Sequence, residues 1–322
     1  MELIRGLHNL APRHRGCVVS IGNFDGLHLG HRALIARLQE LSRLHASPSA
    51  VMIFEPTPRE FLAPESAPPR ITGFRGKLRL LQRAGIDRLL LVRFDRRLAQ
   101  LAARDFVQRI LVEGLGARAV VVGEDFRFGH KRGGDLELLR SMGLQAGFEV
   151  EGLDSVLVGS LRCSSTAVRE ALAVPDLERA QELLGRRYRA FGRVRRGLQL
   201  GRKLGMSTAN LMVRYPGALA HGVYAVRAYW PERPQGAPGV ASLGVRPTLG
   251  MTACLLETHV FGESPALYGK ELEIEFWRYL RPQQRFDSLD ALATQMQADG
   301  AQARAFFGLT GEGQPAPAHG RL

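Results

Sequence analysis

Cysteine is scarce in this chain. Cys17, Cys163 and Cys254 are three in 322 residues, far apart, and no two of them form a CxxC pair. An odd, scattered set argues against a disulfide framework and an oxidising compartment. Long apolar runs are missing as well. None approaches the roughly 18 residues that a membrane span needs, so no membrane partner is expected. Met1 to Gly16 holds no continuous apolar stretch, which predicts no secretory leader and, with the cysteines, a cytoplasmic setting. The chain also has no internal repeat, zinc-finger spacing, aromatic RNA-binding stretch or long basic tail.

What is present is an ordinary folded composition, 45% hydrophobic and 23% charged, in a chain long enough for about two domains. The formal net charge is +13, spread along the sequence with only modest clusters at Arg186-Arg187 and Arg195-Arg196. A diffuse positive field suits phosphorylated small molecules, and nucleic acid is not the expected partner.

One stretch organises the rest, Cys17 to Leu44. Cys17, Val18, Val19 and Ile21 predict a buried parallel strand. The chain then turns through Gly22-Asn23-Phe24-Asp25-Gly26 into a helix whose apolar positions Leu34, Ile35, Leu38 and Leu41 follow the 3.6-residue period. His28 and His31 sit at the joint, three residues apart, beside the unpaired N–H groups of a first helical turn. Such a place favours an anion, since helix dipole, amides and imidazole donors converge. A His-x-x-His pair can ligate zinc, but no further ligand accompanies it at zinc-site spacing. A nucleotide site is the better reading.

Strand and helix keep alternating through the first half. Ala50–Phe54 predicts a second strand, ending in Glu55-Pro56-Thr57-Pro58. Gly73–Ala84 predicts a helix with Leu78, Leu80 and Leu81 inward, Arg88–Phe94 a third strand, and Ala103–Leu115 a further helix. Ala119–Val122 predicts a fourth strand, and Asp125, Phe126 and Phe128 follow it. Phe54 and Pro56 are either pocket walls or a stiff loop. Phe126 and Phe128 either meet a flat ring or cover the sheet edge. Cys163-Ser164-Ser165-Thr166-x-x-Arg169 is a second phosphate device, with Ser164 or Ser165 capping a helix from Thr166 to Leu172 and Arg169 one turn in. The fold class expected is an α/β doubly wound domain.

After the amphipathic Asp176–Leu184, Gly185-Arg186 breaks the pattern, and the predicted boundary lies there. Short β-like runs follow: Tyr188–Val194, Gly222–Trp230, Gly239–Gly244, Leu255–Phe261 and Glu271–Phe276. They predict a small antiparallel β-barrel, closed by a C-terminal helix at Leu289–Phe307. Within it, Gly201 and Lys203 belong to a glycine loop that leads to Thr208 and Asn210. Their side-chain oxygens suit Mg²⁺ bound to phosphate, although a plain polar turn would read the same. Glu257 alternates with apolar neighbours, so it points either into the barrel or to solvent.

The G-N-F-D-G-x-H-x-G-H pattern at Gly22–His31 resembles the nucleotidylyltransferase signature of the bacterial bifunctional riboflavin kinase/FMN adenylyltransferases, the FAD synthetases. Phe54-Glu55-Pro56-x-Pro58, Gly123-Glu124-Asp125-Phe126-Arg127-Phe128-Gly129 and the Ser-Ser-Thr-x-x-Arg segment resemble the same family. So do Gly201-Arg202-x-Leu204-Gly205 with Thr208-Ala209-Asn210, Leu256-Glu257-x-His259, and Gly244-Val245-Arg246-Pro247-Thr248. Met206 and Ser207 depart from the usual Phe-Pro, which leaves that loop less pre-ordered, and Ser242 stands where Asn is usual.

The resemblance implies a Rossmann-like adenylyltransferase domain at residues 1–185, a riboflavin kinase barrel at 186–310, and a disordered tail at 311–322. It implies that riboflavin becomes FMN at the barrel and FMN becomes FAD at the first domain, each step using ATP. His28, His31 and Glu257 would be catalytic, Glu257 as the base. Gly22, Asn23, Phe24, Asp25, Gly26, Ser164, Ser165, Thr166, Arg169, Gly201, Lys203, Thr208 and Asn210 would hold ATP and its phosphates. Phe54, Pro56, Asp125, Phe126, Phe128 and Arg246 would meet flavin, and Thr208 with Asn210 would hold Mg²⁺. The alternative is a monofunctional FMN adenylyltransferase with a degenerate kinase domain.

Overall fold

Glu2–Arg5 (β1), Val18–Ile21 (β2), Ser49–Glu55 (β3), Arg88–Arg93 (β4), Ala119–Gly123 (β5) and Glu149–Leu153 (β6) form one sheet in the order β1-β4-β3-β2-β5-β6. All its pairs are parallel. The computed structural model describes residues 1–195, 207–213, 217–246, 253–262, 267–310 and 314–315. Strands buried on both faces need unbroken apolar runs, and Val18, Val19, Val120, Val121 and Val122 are fully buried. After β2 the chain builds outward through β3 and β4, then returns to place β5 on β2's other side. That reversal makes a switch point at the carboxyl ends of β2 and β5, where open parallel sheets bind ligands.

The helices are Leu29–Leu44 (α1), Pro58–Leu62 (α2), Phe74–Arg83 (α3), Arg96–Ala99 (α4), Ala103–Phe106 (α5) and Leu136–Ala146 (α6). Two expectations change. The helix predicted over Ala103–Leu115 is α-helical only at α5 and continues as a π-helix over Val107–Gly114, with Leu115 N donating to Ile110 O at 2.9 Å. Val107, Ile110 and Leu111 are all buried in one core cluster. Edge strand β1 was not expected, because a four-residue run shows no usable period.

By packing, the chain divides into Met1–Pro68 with Lys77–Ser165, and Pro69–Gly76 with Thr166–Leu322. Ser165–Ala173 (α7) begins at this division, and Leu177–Leu184 (α8) lies beyond it. Helix α7 starts at Ser165, so of the two caps expected, Ser164 or Ser165, Ser165 is a helical residue and Ser164 is the residue that precedes the helix. Asp176 caps α8 by accepting from Arg179 N at 2.9 Å. Residues expected to pack with the sheet are thus tied to the barrel unit: Ala220 N donates to Leu172 O at 2.9 Å, and Tyr188 Oη donates to Ile71 O at 2.9 Å.

A short hairpin of Leu157–Val158 (β7) and Leu161–Arg162 (β8) completes the strands of the first unit. The second unit is a closed antiparallel barrel. Arg189–Arg195 (β9), Ala209–Val213 (β10), Gly222–Trp230 (β11), Arg233–Arg246 (β12), Ala253–Val260 (β13) and Glu271–Arg281 (β14) close in the order β10-β13-β12-β11-β14-β9. Strand β10 was missed in the sequence, where Thr208 and Asn210 read as loop residues. Helix Leu289–Phe306 (α9) starts under Ser288, whose Oγ accepts from Ala291 N at 3.1 Å. The tail over 311–322 lies outside the described residues, apart from Gln314–Pro315, which pairs with Leu309–Thr310.

Candidate active sites

The first site lies where β2 hands over to α1. Gly22 N donates to Met52 O at 3.1 Å, which ties the turn to β3. The chain then makes three left-handed steps, Phe24 and Leu27 at φ 46° and Gly26 at φ 80°. The non-glycine pair costs strain of about 1 kcal/mol or more each. Burial holds them: Phe24 is 1% exposed and Leu27 4%, while Asp25 is buried and Asn23 exposed. His28 caps α1 in an extended conformation, and His31 stands in the first turn. Their rings stack at 3.7 Å between centroids, with Phe24 at 5.0 Å from His31. Phe24 therefore supports an imidazole from within the fold.

Burial pushes the His31 imidazole well below its ordinary value, helped by the neighbouring His28 and the positive charge of Lys77. His31 is accordingly neutral at neutral pH, and its Nδ1 is buried without a hydrogen-bond partner. Lys77 went unnoticed in the sequence although it is only 1% exposed. A signal was available: it precedes Leu80 and Leu81 by three and four positions, on the inward face of α3. The Cys163 thiol lies 3.6 Å from His28 Nδ1. A thiol that donates to Nδ1 leaves the ring's own proton on Nε2. Gly30 leaves room for this pair, since a Cβ there would come within 3.1 Å of the His28 ring. Ser165, the last residue of the first unit, donates from Oγ to Asp25 O at 3.1 Å, and Ser164 is half-buried beside it in sequence. Thr166 and Arg169 belong to the second unit, where Arg169 Nε donates to Pro69 O at 2.8 Å.

Aromatic side chains gather beyond β3, β4 and β5. Half-buried Phe54, before Pro56, meets Phe94 edge-on at 5.9 Å, and Phe61 meets Phe94 at 5.7 Å. Phe61 and Phe94 were missed, because isolated phenylalanines in a loop and a short helix carry no periodic signal. Phe126 stacks on Phe128 at 5.4 Å, and Phe128 packs into the core against Phe106 at 5.5 Å. Phe128 thus underlies Phe126, the more exposed of the two. Asp125 is exposed and accepts from Arg162 Nη2 at 2.6 Å. Phe128 is thus a core residue, while Phe126 stays half-buried above it.

The second site is a cavity of about 570 Å³ in the barrel unit, lined among others by Thr208, Ser242, Glu257, His259, Arg281 and Asp299. Asn210 pairs directly with Glu257 across β10 and β13. Asn210 is 5% exposed, and its Oδ1 is buried without a partner. Glu257 and His259, two apart on β13, share the cavity face. His259 Nδ1 donates to Ser207 O at 2.9 Å, and burial holds the ring below its ordinary value. Arg281 binds Asp299 with two bonds of 2.7 Å, joining β14 to α9, and Gln283 Nε2 donates to Ser242 Oγ at 3.2 Å. His259 and Asp299 were missed as site residues. Gly201 and Lys203 lie outside the described residues, as does the side chain of Arg246, whose backbone ends β12 opposite Ala253.

Two family models match in succession, FAD synthetase over residues 10–167 and riboflavin kinase over residues 184–307. A bifunctional riboflavin kinase/FMN adenylyltransferase of Pseudomonas fluorescens is 47% identical over 95% of this chain and 97% of its own length. One from Escherichia coli K12 is 46% identical over 96% and 99%. The chain belongs to this family. Its solved likenesses include a crystal structure described as a macrolide-efflux protein from Streptococcus pneumoniae, with a TM-score of 0.77 and 27% identity over 94% of this chain and 99% of that one. The bifunctional riboflavin kinase/FMN adenylyltransferase family thus spans both units, and each unit contributes its own cluster of polar residues. Among the described residues, no helix is long and apolar enough to cross a membrane.

Proposed function

We propose that the chain makes FMN from riboflavin and ATP in a domain at residues 186–310, and FAD from FMN and a second ATP in a domain at residues 1–185. The observation that carries this reading is the presence of two unlike sites on one chain, each inside a segment matched by the corresponding family model. The monofunctional alternative is not favoured. Thr208 and Glu257 still line an open cavity, and the oxygen of Asn210 is still unpartnered.

In the kinase step the riboflavin 5′-hydroxyl oxygen attacks the γ-phosphorus of ATP and ADP leaves. Glu257 takes the hydroxyl proton, within a cavity large enough for a flavin tail and a polyphosphate. Thr208 and Asn210 are the residues to hold Mg²⁺. Two neutral hard oxygens suit it, and the buried, unsatisfied Asn210 Oδ1 calls for a cation or donor. Bound there with ATP, Mg²⁺ would neutralise phosphate charge. Gly201 and Lys203 carry the rest of the ATP site, and Arg246 a flavin contact.

In the adenylyl step an FMN phosphate oxygen attacks the α-phosphorus of ATP and pyrophosphate leaves. The nucleophile is already an anion, so charge and alignment matter more than a base. His28 and neutral His31 donate hydrogen bonds to the α-phosphate from the start of α1, with Gly22, Asn23, Phe24, Asp25 and Gly26 shaping the turn. The Ser164, Ser165, Thr166 and Arg169 motif offsets charge on the leaving pyrophosphate. Phe54, Pro56, Asp125, Phe126 and Phe128 form the flavin side. Small molecules are the partners, nucleic acid and membrane are not, and the compartment is the cytoplasm, where Cys17, Cys163 and Cys254 stay reduced.

Chromatography of products from full-length protein, ATP and Mg²⁺ tests this, with riboflavin in one tube and FMN in another. FAD is expected from both. Thr208→Ala should lose the first conversion alone, and His28→Ala the second alone. FAD from FMN only would retire the kinase, and no flavin product in either tube would overturn both assignments.

A further inference from the structure

The ladder between β10 and β13 runs from Val213↔Cys254 to Ala209↔Thr258 and stops there. Ser207 and Thr208 come before the first rung and belong to no strand, yet Thr208 lines the kinase cavity. A segment leaving a ladder frays unless something holds its polar groups. His259, one residue beyond Thr258, does so with its ring: Nδ1 donates to Ser207 O at 2.9 Å. A carbonyl only accepts, so the imidazole proton is on Nδ1. Thr208 is thereby pinned on both sides, by the Ala209 rung and by the His259 bond. The ring is itself backed by Phe261, edge-on at 5.7 Å, and the Arg304 guanidinium of α9 lies 4.3 Å from the Phe261 ring.

The local sequence makes this bond matter. Residue 207 is serine where the related motif has proline, so its φ is not fixed by a ring and the unbound segment samples more conformations. We propose that His259 is a positioning residue of the kinase reaction, which holds the Ser207 carbonyl and so places Thr208 for the ATP phosphates. This rests on the reading of Thr208 as a phosphate and metal residue. It assigns His259 no proton transfer and no contact with substrate.

The test uses full-length protein and reads FMN formation from riboflavin, with KM determined separately for ATP and riboflavin. FAD formation from FMN reports in the same samples whether the chain is folded. Asparagine places an amide N–H where imidazole Nδ1 lies, whereas glutamine places it where Nε2 lies. One side-chain bond to backbone corresponds to about tenfold at most, so His259→Ala should raise KM for ATP by up to about tenfold. The riboflavin KM should not change. His259→Asn should restore most of the loss and His259→Gln little of it. An unchanged KM for ATP in His259→Ala, rescue by Gln in place of Asn, or a defect confined to riboflavin would each overturn the proposal. If His259→Ala also loses FAD formation, the comparison of Asn with Gln decides. Full FMN formation by Thr208→Ala would instead overturn the underlying reading of Thr208.

Discussion

At the scale of single residues, two histidines show how environment divides one side-chain type into different roles. His28 is turned toward the Cys163 thiol, and His31, stacked on it, is kept neutral by burial with the charges of His28 and Lys77 adding to the effect. The consequence can be measured. The folded-state pKa of His31 lies below the unfolded value, so the unfolded chain takes up that proton first as pH falls. Its contribution to stability is therefore whole above about pH 6.5 and is lost as pH drops from there toward the lower folded value. Thermal melts of the full chain between pH 8 and pH 5, on a scale of about three units, should show a falling midpoint that flattens in His31→Gln. An identical pH slope in both proteins would contradict the neutral assignment. The His-x-x-His spacing was plain in the sequence. Neither the stacking nor the buried Lys77 was, since both depend on what α3 brings to the same place.

At the scale of elements, the two structural classes announced themselves by different periods. Helix α1 was legible because Ile35, Leu38 and Leu41 return to one face, and all three are buried. Leu38 is completely buried, so Leu38→Ala should cost about 2–5 kcal/mol by denaturant titration and lower the yield of folded protein. A loss below about 1 kcal/mol would mean that α1 is not packed as described. The long strands β11 and β14 were legible from their composition, although β14 runs on past Phe276 to Arg281. Short elements were not. Strands β1 and β10 have four and five residues, too few to complete a pattern, and only pairing with β4 and β13 makes them strands. The π-helix over Val107–Gly114 could not be foreseen for a related reason: the same apolar residues satisfy a 3.6-residue period.

At the scale of the whole molecule, charge is the property with a direct functional reading. A net charge of +13 on a chain whose substrates are polyanions should accelerate their capture at low salt. Screening shortens the reach of that field to about 8 Å at physiological ionic strength and about 3 Å at 1 M. KM for ATP is accordingly expected to rise with added KCl for both reactions, while kcat changes less. A salt-independent KM would assign the charge to something other than substrate capture. Two activities on one chain also make each an internal control for variants of the other, as the paired Thr208→Ala and His28→Ala experiment uses.

The sequence by itself determined the class of each half, the glycine turn ahead of His28, and the family, because these are carried by local patterns and contiguous motifs. Thr208, Asn210 and Glu257 were also marked by motif. That Asn210 faces Glu257 across a ladder, and that His259 closes that ladder's end, was decided only in three dimensions. Strand register brings together residues far apart in the chain, and no local period records it. The tertiary structure likewise decided that Phe128 is core while Phe126 is the more exposed ring, and that Lys77 is buried beside the charge balance of His31. Burial is a property of what packs over a residue, and the covering elements come from elsewhere in the sequence.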